Sequence, residues 1–232
     1  MIKFFWLIIF LINILTAQDF GKAIEDNSFL IEEGINQEDG VVQHISLFDF
    51  QENDKFFSFT QEWPILSQTH QLSYTIIANN DSKFLQEFGI NYRYQINTGI
   101  ANLKFAPRFS YFKNFRDDLN SSLQINLPAS FRASEKFYFH INLGSNLLKN
   151  KSTKTFLSSS TIYLFNETLN LLSEIIIEKV ENKFSYTINP GFRSAINLND
   201  LQVVWGLAIP IELQNKTNKR VLFYLSFEHP FN

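Results

Sequence analysis

Residues Glu87–Ile96 read EFGINYRYQI, and Asn102–Phe112, six residues further on, read NLKFAPRFSYF. In the first stretch Phe88, Ile90, Tyr92, Tyr94 and Ile96 alternate with Gly89, Asn91, Arg93 and Gln95. In the second, Leu103, Phe105, Pro107, Phe109 and Tyr111 alternate with Asn102, Lys104, Ala106, Arg108 and Ser110. Side chains of an extended chain point alternately to opposite faces, so this period of two predicts strands with one apolar and one polar face. The same period runs through Leu72, Tyr74 and Ile76, through Phe137, Phe139, Ile141 and Leu143, and through Phe184, Tyr186 and Ile188. It recurs at Leu201, Val203, Trp205, Leu207 and Ile209, and closes the chain at Val221, Phe223, Leu225 and Phe227. No amphipathic helix competes with it.

About twelve such segments follow one another: 41–50, 55–63, 69–77, 85–97, 101–112, 119–127, 136–144, 154–165, 168–178, 183–193, 200–211 and 219–228. Alternation slips at Leu157 and Leu172. Most segments run about 9–12 residues, beyond the about 5–6 of a typical globular strand and suited to crossing a hydrocarbon layer at a tilt. An even number returns the C-terminus to the side where the chain began. Connectors IANNDSK, KNFRDDL, SNLLKNKST and QNKTNK suit outer loops, and NTGI and NET suit inner turns. PASFRASE is long for an inner turn and VENK short for an outer loop. Aromatic residues near strand ends, at Phe56, Trp63, Phe112, Phe165 and Phe227, suit interfacial girdles. A soluble sandwich or lipocalin-like barrel shares the period, because period two says which residues share a face but not which face is wet. Strand length, strand count and aromatic content favour an all-β fold: a single transmembrane antiparallel β-barrel of about 12 strands.

The N-terminus fits that location. MIKFFWLIIFLINILTAQ has a positive charge at Lys3, an apolar run from Phe4 to Leu15 and a small residue at Ala17, the pattern of a cleaved signal peptide over 1–17. The run is too short for a spanning helix. Residues 18–40 then carry Asp19, Glu25, Asp26, Glu32, Glu33, Glu38 and Asp39 against Lys22, and the barrel segment 41–232 is mildly basic. This acidic leader is apolar at Phe29, Leu30, Ile31 and Ile35, which a plainly solvated tail would not be. With no cysteine among its 232 residues, the chain has no disulfide, thiolate metal site, cysteine nucleophile or lipoprotein anchor. A net charge of −3 without a Lys/Arg cluster excludes a basic nucleic-acid binder.

The stretches DNSFLIEEGINQEDGVVQHI, FTQEWPILSQTHQLSYTI and GINYRYQ, within residues 26–95, resemble bacterial outer-membrane transporter barrels close to the family labelled "MetA-pathway of phenol degradation". The resemblance implies an outer-membrane location in a Gram-negative bacterium and passage of small solutes, apolar or aromatic ones included. It supplies no catalytic residues. Gly34 and the Asp39-Gly40 pair read as local variations on that group's pattern.

The residues offer four kinds of candidate site. His44 with Ser46, and His140 with Ser145, have the residue types of a nucleophilic dyad, but no nucleophile elbow or oxyanion loop accompanies them, and no enzyme activity is expected. The histidines 44, 70, 140 and 229 show no ligand spacing, so neither metal nor other cofactor is expected. If the apolar faces meet lipid, Glu62, Gln71, Ser73, Thr75, Asn91, Arg93, Gln95, Lys104, Arg108, Ser110, Gln124, Asn126, Tyr138, His140 and Asn142 face a lumen. Arg93, Lys104 and Arg108 would make a basic stripe there, and Glu32, Glu33, Glu38 and Asp39 of the leader would plug the lumen against it. The expected work is diffusion of a small solute; the alternatives are a lipid-modifying enzyme and a structural or adhesion barrel. The expected partners are the lipid bilayer, that solute and the assembly machinery that reads an aromatic last strand.

Overall fold

With two proline-interrupted strands counted whole, each barrel strand pairs antiparallel with its neighbours in sequence, and the last returns to the first. The computed structural model describes Ile24 and residues 28–52, 54–80, 85–115, 121–148, 153–198, 201–214 and 219–231. The expected signal peptide, 1–17, lies outside the described residues, as does most of 18–27. The strands are β1 (Val41–Gln51), β2 (Lys55–Ile65), β3 (Ser67–Asn79), β4 (Leu85–Tyr94), β5 (Leu103–Phe105), β6 (Arg108–Asn114) and β7 (Ser122–Arg132). They continue as β8 (Phe137–Leu148), β9 (Lys154–Asn166), β10 (Leu169–Val180), β11 (Lys183–Leu198), β12 (Leu201–Ala208), β13 (Ile211–Glu212) and β14 (Arg220–Pro230).

Two of these pairs are single barrel strands interrupted by proline. Pro107 separates β5 from β6 and Pro210 separates β12 from β13; a proline has no N–H to give the ladder. The hydrogen bonds resume on both sides, from Tyr94 N–H to the Pro107 carbonyl (3.0 Å) and from Ile209 N–H to the Pro190 carbonyl (3.0 Å). Twelve barrel strands therefore remain, closed by β10 against β11 and by β1 against β14 from Val41↔Pro230 to Gln51↔Arg220. Closure leaves no open edge, a condition for backbone in lipid.

The faces decide the environment. Ile90, Phe109, Tyr111, Leu123, Ile141, Leu143, Leu157, Leu171, Ile175 and Phe184 all point outward and are each 47–55% exposed. Together they form a contiguous apolar belt, whereas soluble monomers keep such patches to roughly a few hundred Å². The outside therefore meets lipid, and the soluble alternative falls. Inside lie buried polar residues such as Gln71, Ser73, Asn91, Asn126, Asn142, Ser158 and Asn189.

Two expectations are corrected. The connector PASFRASE is mostly strand: β7 runs to Arg132 and β8 starts at Phe137, leaving a short turn. VENK is as short as its sequence indicates, a tight turn in which Glu181 takes a positive φ of 55°. Of the five girdle aromatics, Phe56 and Phe112 point into the barrel, in register with the inward Asp49 and Gly89; the Phe112 ring covers Gly89, where a Cβ would meet it at 2.5 Å. Trp63, Phe165 and Phe227 face outward, with Phe165 62% exposed.

The slips at Leu157 and Leu172 have a physical cause. Leu157 faces lipid while Leu172 is buried inside, because the inner wall of β9 and β10 is itself apolar at Ile162, Leu164 and Leu172. That inner strip continues through Ala195, Val204, Ala208, Leu222 and Tyr224, with Ile45 and Leu47 packed beside it. Its occupant is the leader.

Candidate functional site

The described leader runs inside the barrel as an arch. Its first described residue, Ile24, is near the end where β1 begins and β14 finishes, periplasmic in an outer-membrane orientation. There Ile24 N–H donates to the Glu167 carbonyl (3.2 Å) and Asn170 Nδ2 donates to the Ile24 carbonyl (2.8 Å). Leu30 to Glu32 reach mid-barrel, and Asn36 is back at the periplasmic end, its Nδ2 donating to the carbonyls of Gln68 and Thr69 (2.8 and 2.9 Å).

An irregular segment in a closed interior has no backbone ladder, so its N–H groups need other acceptors or carry an unmet desolvation cost. Inward side chains supply them. Leu30 and Ile31 N–H both donate to Glu174 Oε1 (2.8 and 3.1 Å), while Asn189 Nδ2 donates to the other carboxylate oxygen. Asn142 grips Glu32 twice, accepting from its N–H (3.0 Å) and donating to its carbonyl (2.7 Å). Gly34 N–H donates to Ser130 Oγ (2.7 Å), and that hydroxyl pairs with His140 Nδ1 (2.6 Å). Asn36 and Gln37 N–H donate to Gln95 and Gln71 (2.8 and 2.6 Å), and Ser28 Oγ pairs with Ser160 Oγ (2.5 Å).

Charge is concentrated at one level. Arg93 and Arg108 stand directly opposite in the β4–β6 register, an arrangement that repels unless an anion joins it. The Glu32 carboxylate does so, 2.5 Å from Arg108 Nη1 and 3.5 Å from Arg93 Nη2. Arg93 Nη1 also donates to the Ile35 carbonyl (2.8 Å), and Arg108 Nη2 to Gln124 Oε1 (2.6 Å). Beside them the buried Glu62 accepts from Gln71 Nε2 (2.8 Å).

The apolar side of the arch fits the apolar strip. Phe29 is 6% exposed and meets Tyr224 edge-on, centroids 5.7 Å apart at 74°. It lies over two inward glycines of adjacent strands: a Cβ on Gly191 or Gly206 would come within 2.8 or 2.9 Å of its ring. Gly34 is not a neutral variation either. A Cβ there would sit 2.6 Å from the Lys104 carbonyl oxygen and 2.9 Å from both Ala129 Cα and Ser130 N, so only glycine passes this close to the wall.

Among the residues singled out from sequence, Glu62, Gln71, Asn91, Arg93, Tyr138 and His140 are buried in the interior, and Gln95 and Arg108 are partly buried there. Lys104 shares the inward face, in register with Ser130, but lies beyond the Pro107 break near the periplasmic rim, exposed and lining the inner cavity, so at the level of Glu32 the basic residues are Arg93 and Arg108. In the leader, Glu33 is buried and Glu32 partly so, while Glu38 and Asp39 are exposed where the chain turns through Gly40 (φ 75°) into β1. His44 and Ser46 share the outward face. His44 stacks on Phe227 (4.5 Å), with its Nε2 3.2 Å from His229 Nε2. His140 faces inward, opposite to Ser145. Among the described residues no group of three or more His, Cys, Asp or Glu gathers as a metal site.

Sequence reasoning missed Glu174, Ser130, Ser160, Asn170 and Asn189. Glu174 alone left a signal, as an isolated charge in LNLLSEIIIEKV.

Two cavities flank the arch. The outer one, about 640 Å³, is floored by Leu30 and Glu32 and walled by Arg108, Gln124, Asn126, Asn142, Lys154, Phe156, Glu178, Glu212 and Arg220 among others. The inner one, about 440 Å³, lies against the β4–β5 connector with Gln68, Thr69, Gln95 and Lys104.

No protein-family model matches the sequence, and no curated protein does. Solved structures share the fold. The KdgM porin, solved in complex with disordered oligogalacturonate, superposes with a TM-score of 0.64 at 9% identity, covering 82% of this chain and 99% of that one. The NanC porin gives 0.60 at 6% identity over 82% and 99%. The translocator domain of the autotransporter NalP from Neisseria meningitidis gives 0.52 at 10% identity over 84% and 90%. The shared fold and the lipid-facing exterior are those of an outer-membrane β-barrel, which sits in the bilayer of a Gram-negative outer membrane.

Proposed function

We propose that this barrel is a channel for diffusion of a small hydrophilic solute across the outer membrane, with leader residues 28–37 acting as its plug. One observation carries the reading. The interior wall is polar and opens into an outer cavity of about 640 Å³, the size range of small-molecule sites, whose floor is the leader itself. Amide and hydroxyl side chains at Gln124, Asn126, Asn142, Ser158, Ser185 and Thr187 offer hydrogen bonds without a single dominant charge. KdgM, with its bound oligogalacturonate, is an instance of this fold holding a hydrophilic molecule. The aromatic last strand, Val221 to Phe227, supports delivery by the outer-membrane assembly machinery.

The test is conductance in planar bilayers, with the full chain and with a chain lacking residues 18–40. Both should conduct, the shortened chain several-fold more. Silence from both forms refutes the channel.

A second reading follows the likeness of residues 26–95 to the phenol-degradation group. The strip of Ile162, Leu172, Val204 and Leu222 under Phe29 is an apolar path along one side of the lumen, suited to an apolar or aromatic solute. Faster uptake of phenol than of glycerol into proteoliposomes, relative to protein-free vesicles, would favour it.

A further inference from the structure

The Arg93–Arg108 pair has a ligand in this structure, and the ligand belongs to the chain itself. Neither guanidinium can shed its charge, so the level where they face each other needs negative charge at all times. Glu62, tied to Gln71, supplies one carboxylate from the wall; Glu32 supplies a second, in contact with both guanidinium groups, and Glu33 beside it on the leader also acts on Arg93. Glu62 is on the wall and stays. Glu32 is on the leader, a segment held by side-chain hydrogen bonds rather than by strand pairing.

The clasp is reachable from outside. Glu32 and Arg108 both line the outer cavity, with Gln124, Asn126 and Asn142 beside them. Arg108 is 16% exposed and Glu32 23%, whereas Arg93 behind them is 3% exposed. A carboxylate arriving through the cavity meets the guanidinium that holds Glu32, and amides placed to bond hydroxyls on the same molecule. A planar carboxylate is the group that a guanidinium fork fits best.

We infer that the Arg93–Arg108 pair is a carboxylate-binding site for the permeating solute, occupied in cis by Glu32, and that a hydroxylated carboxylate entering the outer cavity exchanges with Glu32 and loosens the leader. This rests on the channel reading and names its solute class. It also gives the plug a release mechanism: the incoming carboxylate keeps the charge balanced when Glu32 leaves.

The experiment uses the full mature chain in detergent micelles and a glutamate-specific protease, with cleavage after Glu33, which is buried in the seated leader, followed by mass spectrometry. Sodium D-glucuronate is titrated against D-glucose, which has the same ring without the carboxylate, and against sodium chloride at equal ionic strength. Sodium phosphate is a separate arm. Glucuronate should accelerate leader cleavage saturably, by about tenfold, the factor one charge-assisted hydrogen bond is worth. Glucose and chloride should leave the rate within twofold. In Glu32→Gln the leader should be cleaved fast from the start, with the glucuronate response gone. An unchanged wild-type rate in glucuronate overturns the inference without reference to any variant's folding. Equal acceleration by phosphate overturns the carboxylate assignment, and equal acceleration by chloride overturns the site. Glucuronate-stimulated cleavage in a protein that never conducts would sink the channel and leave the site standing.

Discussion

Replacing Phe29 by alanine measures how firmly the leader is seated. Its ring is buried to 6% exposure, rests on the bare Cα positions of Gly191 and Gly206, and meets Tyr224 edge-on at 5.7 Å. Truncating a well-packed phenylalanine costs about 3–5 kcal/mol, of which an aromatic pair accounts for about 0.5–1.5. The lower end applies, because only the arch leaves while the barrel stays folded and the leader stays tethered at Val41. A loss of about 3 kcal/mol is a change of roughly 100-fold in the ratio of seated to released leader. When opening is fast relative to cleavage, native-state proteolysis follows the released population, so cleavage after the buried Glu33 should rise by that factor. Phe165→Ala is the matched control, since that ring faces outward at 62% exposure and should leave the rate unchanged. Phe29→Leu keeps most of the apolar volume and should give an intermediate rate. An increase below threefold for Phe29→Ala would mean that the hydrogen bonds alone hold the arch, and would refute the reasoning from the apolar strip.

Two further outcomes follow from named contacts. Gly34→Ala drives a methyl group against backbone atoms of the wall at 2.6–2.9 Å, none of which can rotate away, so the arch should lift and leader cleavage rise at least about tenfold, with barrel unfolding in urea unaltered. Arg220→Ala should do the reverse. It removes three contacts of 2.7–3.0 Å to Asp49 at the outer end of the closing seam and should lower barrel stability by about 1–2 kcal/mol, discounted for partial exposure, while leader cleavage stays constant.

How far the sequence alone could be read depends on the range of the signal. Period two is local, and it located the strands to within a few residues because each outward apolar residue is set by lipid, whatever the partner strand. The same rule failed at Leu172, where the inward face is apolar to match the leader, and Phe56 too faces inward, opposite Asp49. The polar wall was legible in part: Arg93, Asn91 and Gln71 alternate with aromatics in plain view. Glu174 and Ser130 were not, because their leader partners are 144 and 96 residues away and meet them only inside the closed barrel, and Asn189 matters only through Glu174, opposite it across β10–β11. Lys104 has the inward parity expected of it but stands at another level, since strand parity gives a residue's face but not its height, and Pro107 marks the approach to the rim.

Those failures share a cause. The wall is written for the leader as much as for a solute. Where the arch presents backbone N–H groups, the strands present Glu174, Asn142, Ser130, Gln95 and Gln71; where it presents Phe29, they present two glycines and Tyr224; where it presents Glu32, they present two arginines. Each match is cross-sectional, joining residues remote in sequence at one height of the barrel. A lumen meant only to stay open would not need a glycine notch for one ring, and one meant only to stay shut would not leave its clasp on the floor of an outer cavity. Seat and access together argue for a plug that is released, which is why the cleavage and conductance measurements have to be made on the same full-length protein.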